Sequence, residues 1–142
     1  MIRQIKSNVE ADKVLHIICS PDNMTKNRID VVDPDEFIQL AILKYKKGKT
    51  FAPHKHIFKK PLKRESIAQE SWVVLRGSVK AIFYDLDDKV ISTEVLNAGD
   101  CSITLYGGHN YEILKEDTLV YEFKTGPYLG QEVDKAFIDD QD

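Results

Sequence analysis

Short runs of alternating apolar and polar residues, separated by turn-forming residues, repeat along most of the chain. Runs of this length and spacing predict many short strands and are typical of an all-β sandwich or barrel. Only residues 8–13 suggest a short helix. The predicted strands cover residues 14–19, 37–45, 51–58, 70–75, 79–84, 90–96, 101–105, 111–114 and 118–124.

Two hairpins are predicted in the second half of the chain. Asp85-Leu-Asp-Asp joins the first pair of strands, and Lys115-Glu-Asp joins the last pair. Between them, Asn97-Ala-Gly-Asp forms a tight turn in which Gly99 can take a positive φ. This number of strands suits a double-sheet jelly roll, also called a double-stranded β-helix.

The length of 142 residues predicts a single domain with one hydrophobic core. We expect the barrel core at about 37–124, an N-terminal strand region at 1–36 and a C-terminal tail at 125–142. No apolar run approaches the ~20 residues of a membrane span, and the first residues lack the apolar stretch of a signal peptide. We therefore expect a cytoplasmic protein with no membrane partner, whose two cysteines, Cys19 and Cys101, are reduced and buried.

A net charge of -3 conceals a strongly basic block at residues 44–64. The block contains nine Lys or Arg and no acidic residue, whereas residues 65–142 contain sixteen acidic and six basic residues. Two interpretations stay open: a solvated lysine-rich loop, or a positive segment that steers anions towards a site. Nucleic acid is not an expected partner, because the isoelectric point is near 5.8 and no matching motif is present.

Four residues stand out as candidate metal ligands. His54 and His56 are two residues apart, so in a strand their imidazoles point the same way. Glu70 shares a predicted strand face with apolar neighbours, and His109 follows a glycine pair. Three imidazoles and one carboxylate suit a divalent first-row metal. Two alternatives remain: a buried basic partner for Glu70, or Gln69 pointing inward on a bulged strand.

The segments that contain these residues resemble the two motifs of the cupin superfamily. The first motif is matched by Gly48-Lys-Thr-Phe-Ala-Pro-His54-Lys-His56 and by the spacing of Glu70 and Gly77. The second is matched from Gly99 to His109, with Leu105 where the family usually has proline. Thirteen residues separate His56 from Glu70, where three or four are usual, which indicates an inserted loop. The resemblance implies a jelly roll whose three histidines and glutamate bind iron, manganese, zinc or nickel.

The resemblance also implies a range of functions. We expect a metal-dependent isomerase or epimerase acting on a small anionic sugar or nucleotide-sugar, with Tyr106 or Tyr111 as a proton donor. The alternatives are a metal-dependent dioxygenase and a non-catalytic small-molecule-binding protein. Metal-free epimerases and ketoisomerases of the family use a histidine as base instead, and the near-complete ligand set argues against that version. Cupins often pair as homodimers through an N-terminal strand, here residues 14–19, and the alternative is a self-contained barrel in which this strand folds back onto its own sheet. His16, in that strand, is interpreted as a structural or surface histidine.

Overall fold

A computed structural model describes residues 1–20, 25–56 and 65–138, and it is all-β. Strands contain 44% of these residues and helix 3%. The strands are β1 (Ile2–Lys6), β2 (Val14–Cys19), β3 (Arg28–Asp30), β4 (Ala41–Leu43), β5 (Glu70–Arg76), β6 (Ser78–Tyr84), β7 (Val90–Asn97), β8 (Cys101–Thr104), β9 (Gly108–Ile113) and β10 (Leu119–Lys124). One short helix, α1, spans Gln131–Asp134, and no helix of the described segments is long and apolar enough to cross a membrane.

Two antiparallel sheets pack face to face. One has five strands in the order β1-β2-β8-β5-β10, and the other has three in the order β7-β6-β9. Strands β3 and β4 form a separate pair. Over the described residues each sheet keeps two edge strands, so the strands do not close into a barrel. The antiparallel all-β prediction is confirmed at this level, and the jelly roll stays a prediction.

Alternation along the strands produces two hydrophobic cores. The first lies between the sheets and contains Ile5, Ile18, Val74, Val79, Ala81, Phe83 and Leu96. The second lies on the outer face of the five-stranded sheet and contains Ile17, Cys19, Val31, Val32, Cys101, Ile103 and Leu105. Strand β2 contributes to both, which explains its nearly continuous apolar sequence. The cysteines are free and buried, as predicted.

Several predicted strands are confirmed to within one or two residues, among them β2 and β5 to β8. The hairpin of β6 and β7 is also confirmed. The second predicted hairpin is wrong, because β9 pairs with β6 in one sheet while β10 pairs with β5 in the other. The chain therefore crosses between the sheets four times, at Gly77 and at residues 98–100, 105–107 and 114–118. The first of these crossings separates β6 from β5, and the last separates β10 from β9.

These two crossings lie against each other. The Leu114 amide donates to the carbonyl of Ser78 at 3.0 Å. Gly77 has a φ of 81°, and a Cβ on it would lie 2.9 Å from the Cα of Thr118. A side chain at Gly77 would collide with backbone, so this glycine is what allows the two crossings to pass so closely.

Three segments differ from the sequence predictions. The predicted strand at 37–45 is reduced to β4, and residues 51–56 form no strand, while 57 and 58 lie outside the described residues. The predicted helix at 8–13 is a series of turns. There the hydroxyl of Ser7 accepts the amides of Val9 and Glu10 at 2.9 and 3.0 Å, which offers the backbone an alternative to helical hydrogen bonds.

Candidate functional site

A cleft of about 560 Å³ opens at one end of the space between the two sheets. Glu70 begins β5 and Thr104 ends β8, and the two are opposite each other in the ladder. His109 approaches from the other sheet, opposite Phe83. All three line the cleft, together with Tyr106 at the turn that follows β8. Strand alternation therefore brings two of the four predicted metal ligands, Glu70 and His109, to one point.

Glu70 and His109 form a close pair. The Glu70 Oε1 atom lies 3.2 Å from His109 Nε2, and their side chains are 15% and 25% exposed. Burial acts to raise the pKa of Glu70, but the hydrogen bond and charge of His109, the Trp72 indole and the charge of Lys135 outweigh it, and the pKa is lowered. Glu70 is therefore an ionised carboxylate that accepts a hydrogen bond from His109 Nε2.

The second ring nitrogen of His109 is the unusual feature of this pair. With its proton on Nε2, a neutral imidazole carries a lone pair on Nδ1. Nδ1 is buried and has no hydrogen-bond partner within the part of the chain that the structure describes. Because an unpaired buried acceptor costs free energy, it marks a position where a ligand group or a proton would be stabilised.

An aromatic stack supports Glu70 from behind. The Trp72 indole N–H donates to Glu70 Oε1 at 3.1 Å and to Glu122 Oε2 at 3.2 Å. Its ring stacks on Tyr111 with centroids 4.0 Å apart and planes at 7°. Burial raises the pKa of Tyr111, and its hydroxyl pairs with Ser102 Oγ at 2.8 Å. Tyr111 thus lies beside the pair but does not line the cleft, whereas Tyr106 does.

Tyr106 and Gln69 connect the cleft to the outer face of the sheet through Glu36. The Tyr106 hydroxyl donates to Glu36 Oε2 at 3.2 Å, and the same oxygen accepts from Gln69 Nε2 at 2.5 Å. Gln69 is fully buried, and its Oε1 accepts the amide of Ile38 at 2.8 Å. Gln69 therefore faces away from the cleft, and the alternative in which it replaces Glu70 is wrong.

His16 is a buried structural histidine beneath the site. Its Nδ1 lies 3.1 Å from the Thr104 hydroxyl and its Nε2 lies 3.0 Å from the Tyr84 carbonyl. Burial lowers its pKa to about 4, so the ring is neutral, donates through Nε2 and accepts through Nδ1. Both nitrogens of His16 have hydrogen-bond partners, whereas Nδ1 of His109 has none among the described residues.

His54 and His56 lie together but apart from this pair. They occupy an exposed segment without strand structure, and their ring centroids are 5.5 Å apart. The Nδ1 atom of His54 donates to the Ala52 carbonyl at 3.0 Å. Within residues 1–20, 25–56 and 65–138, no three or more His, Cys, Asp or Glu side chains are arranged to hold a metal ion. The four predicted ligands thus form two separate pairs.

The C-terminal segment forms a wall of the cleft that the sequence did not predict. Residues 134–138 line it, including Lys135, whose charge favours the ionised form of Glu70. Asp134 anchors the segment through an ion pair with Lys124 at 3.2 Å. Ile138 packs against Gly108, where a Cβ would collide with it. The sequence signal that could have predicted this wall is the run of apolar residues in an otherwise acidic tail, because a tail that is exposed to solvent does not need apolar residues.

No protein-family model, curated protein or solved structure matches this chain.

Proposed function

We propose that the cleft is the active site of an isomerase or epimerase that moves a proton on a small, oxygen-rich, anionic substrate. The observation that carries this proposal is the Glu70–His109 pair, in which the buried Nδ1 has no hydrogen-bond partner among the described residues. A neutral imidazole held by an ionised carboxylate is suited to general-base catalysis near neutral pH. This chemistry needs only the Glu70–His109 pair and does not depend on the jelly-roll topology. That topology and membership of the cupin superfamily are also part of the proposal.

Each residue has a defined part in this mechanism. His109 Nδ1 takes a proton from a carbon next to a carbonyl group, and Glu70 stabilises the imidazolium that forms. The Tyr106 hydroxyl, which donates to Glu36 in the resting site, leaves that hydrogen bond when substrate is bound and gives its proton to the carbonyl oxygen. In isomerisation, His109 returns the first proton to the former carbonyl carbon, while the hydroxyl on the first carbon gives its proton to the Tyr106 phenolate. In epimerisation, the first carbon is reprotonated on its opposite face after the intermediate has turned relative to His109, and the enol hydroxyl returns its proton to Tyr106.

The substrate class follows from charge and from the family resemblance. Lys135 lines the cleft, whereas the lysines in the described part of the basic block, Lys44, Lys46, Lys47, Lys49 and Lys55, do not. Positive charge at a cleft raises the local concentration of anions. A sugar phosphate or a nucleotide-sugar combines such an anionic group with the carbonyl and hydroxyl groups that the mechanism needs.

A metal-dependent version is the second candidate, and the paired donors support it. Glu70 with His109, and His54 with His56, are the two halves of the ligand set that the resemblance implies. Iron, manganese, zinc or nickel bound by all four would polarise the substrate carbonyl, and iron would also allow a dioxygenase reaction. The described arrangement fits only half of this set, because the histidine pair would have to lie closer to the cleft.

Deuterium exchange tests the proposal without knowledge of the product. The protein is incubated in D₂O with a panel of keto- and aldo-sugar phosphates and nucleotide-sugars, and loss of C–H signals is followed by proton NMR. We expect one substrate to exchange the hydrogen next to its carbonyl. The change His109→Gln should slow this exchange at least about 100-fold, because it removes the base.

The change His54→Gln distinguishes the two candidates. Exchange that survives this change, in protein without stoichiometric metal, supports the histidine-base enzyme. Exchange that is lost together with about one metal per chain supports the metal-dependent enzyme. Binding of a panel member without exchange in the wild type would contradict both candidates and indicate a non-catalytic binding protein.

A further inference from the structure

The two cysteines of the chain lie directly opposite each other on neighbouring strands. Cys19 ends β2, Cys101 begins β8, and the two are register partners in the antiparallel ladder. They are 82 positions apart in the sequence and are the only cysteines present. Both side chains belong to the second core, on the outer face of the five-stranded sheet. The fold therefore brings together two thiols that have no other thiol to react with.

The backbone geometry is compatible with a covalent bond between them. Opposite Cα atoms in an antiparallel pair are about 4.5 or about 5.5 Å apart, depending on their place in the ladder. Disulfides connect Cα atoms separated by about 4.4–6.8 Å, so either value allows the bond with little backbone movement. Because register partners point to the same face, both sulfur atoms lie on one side of the sheet.

The pKa values of the two thiols are shifted in opposite directions. A hydrogen bond with Cys101 raises the pKa of Cys19, with burial acting in the same direction. The same hydrogen bond lowers the pKa of Cys101, against burial and the charge of Asp100. Cys101 is also the more exposed of the two, at 7% against 2%, and it follows directly after the 97–100 turn. Cys101 is thus the better nucleophile.

We propose that Cys19 and Cys101 are a peroxide-oxidisable dithiol that closes to an intramolecular disulfide in the folded protein. The Cys101 thiolate attacks hydrogen peroxide, the O–O bond breaks, and sulfenic acid and hydroxide form. The sulfur of Cys19 then attacks the sulfur of Cys101, the S–O bond breaks, and the Cys19 proton leaves with the hydroxyl as water. Two thiols and one peroxide give one disulfide and two waters.

Intact mass spectrometry tests this proposal. Reduced protein is treated with hydrogen peroxide at neutral pH, unfolded in the presence of N-ethylmaleimide, and weighed. We expect two alkylated thiols before oxidation and none after it, with a chain that is two hydrogen atoms lighter. Peptide mapping should find residues 19 and 101 linked, and dithiothreitol should restore both thiols. Two thiols that stay alkylatable, or a gain of oxygen atoms without a link, would overturn the proposal.

Two single variants identify the first thiol. In Cys19→Ser the serine hydroxyl can still donate to Cys101, so a dione probe should trap sulfenic acid at Cys101. In Cys101→Ser the remaining Cys19 should be trapped at least about tenfold more slowly, because its thiolate is rarer. Equal trapping in the two variants would contradict the assigned order. The wild-type peptide map keeps the disulfide itself testable if either variant does not fold.

Discussion

At the residue scale, two histidines in the same protein have opposite roles because their second nitrogens differ. His16 has partners for both ring nitrogens, on the Thr104 hydroxyl and the Tyr84 carbonyl. Among the residues that the structure describes, His109 has a hydrogen-bond partner only on Nε2. A fully satisfied imidazole stabilises structure, whereas one with a buried, unpartnered lone pair is available to a ligand. Sequence position alone gives no indication of this difference.

Burial of neutral His16 makes stability depend on pH. The pKa of His16 is about 4 in the folded protein against an ordinary value of 6.5, so the unfolded chain binds its proton first as pH falls. Its contribution is therefore complete above pH 6.5 and is lost as pH falls towards 4. We expect the free energy of unfolding to fall by about 3 kcal/mol over this range from His16 alone.

Urea unfolding of wild type and His16→Gln between pH 4 and 7.5 measures this contribution. The charges of Asp85 and His109 act on His16, so the quantity to examine is the difference between the two curves. That difference should be largest at pH 7.5 and shrink by about 3 kcal/mol at pH 4. Parallel curves would show that His16 is protonated equally in both states.

At the element scale, the turn between β8 and β9 is fixed by two glycines that meet different obstacles. Gly107 has a φ of 76°, and a Cβ on it would lie 2.5 Å from the Tyr84 carbonyl oxygen. That oxygen also accepts the hydrogen bond from His16. A Cβ on Gly108 would instead meet the end of the Ile138 side chain, which can rotate away.

The two glycines should therefore differ in their tolerance of alanine. We expect Gly107→Ala to lower the free energy of unfolding by about 2 kcal/mol or more. The alanine would have to keep a positive φ, and its Cβ would collide with the Tyr84 carbonyl oxygen, which cannot move aside easily. Gly108→Ala should cost about 1 kcal/mol or less. Urea denaturation of the two variants is the measurement, and each serves as the other's control. Equal losses would mean that the turn yields as easily as the Ile138 side chain.

Most strands could be located from the sequence, but which strands pair with each other could not. Alternation located β5 to β8 because each has one face in a core. The pairing of β9 with β6 and of β10 with β5 depends on the crossing near Gly77, a contact between residues about forty positions apart. The sequence likewise singled out Glu70 and His109 separately, while their contact and the wall at 134–138 arise only from the packed sheets.

At the scale of the whole molecule, the site depends on a segment that little else holds in place. Residues 134–138 close one side of the cleft, yet Val133 and Phe137 are 74% and 77% exposed. Within the described residues, the segment is anchored by Ile138 on Gly108 and by the ion pair of Asp134 with Lys124. The Lys124 ammonium also lies 4.0 Å from the Tyr128 ring centroid. Segments with few buried contacts open locally well before the protein unfolds.

Removal of this anchor should open the wall and leave the sandwich intact. We expect Asp134→Asn to speed amide hydrogen exchange at residues 131–138 about three- to tenfold, because one partly buried ion pair is lost. Exchange in β2 and β8 should not change, since neither strand contacts the ion pair.

Glu132→Gln is the matched control: it removes the same charge from an exposed position two residues away. If both variants exchange alike, net charge and not the Lys124 contact holds the wall, and if neither differs from wild type, the apolar contact of Ile138 is sufficient. Under the proposed mechanism, the Asp134 variant alone should also bind an anionic substrate more weakly, because Lys135 is carried on the same segment.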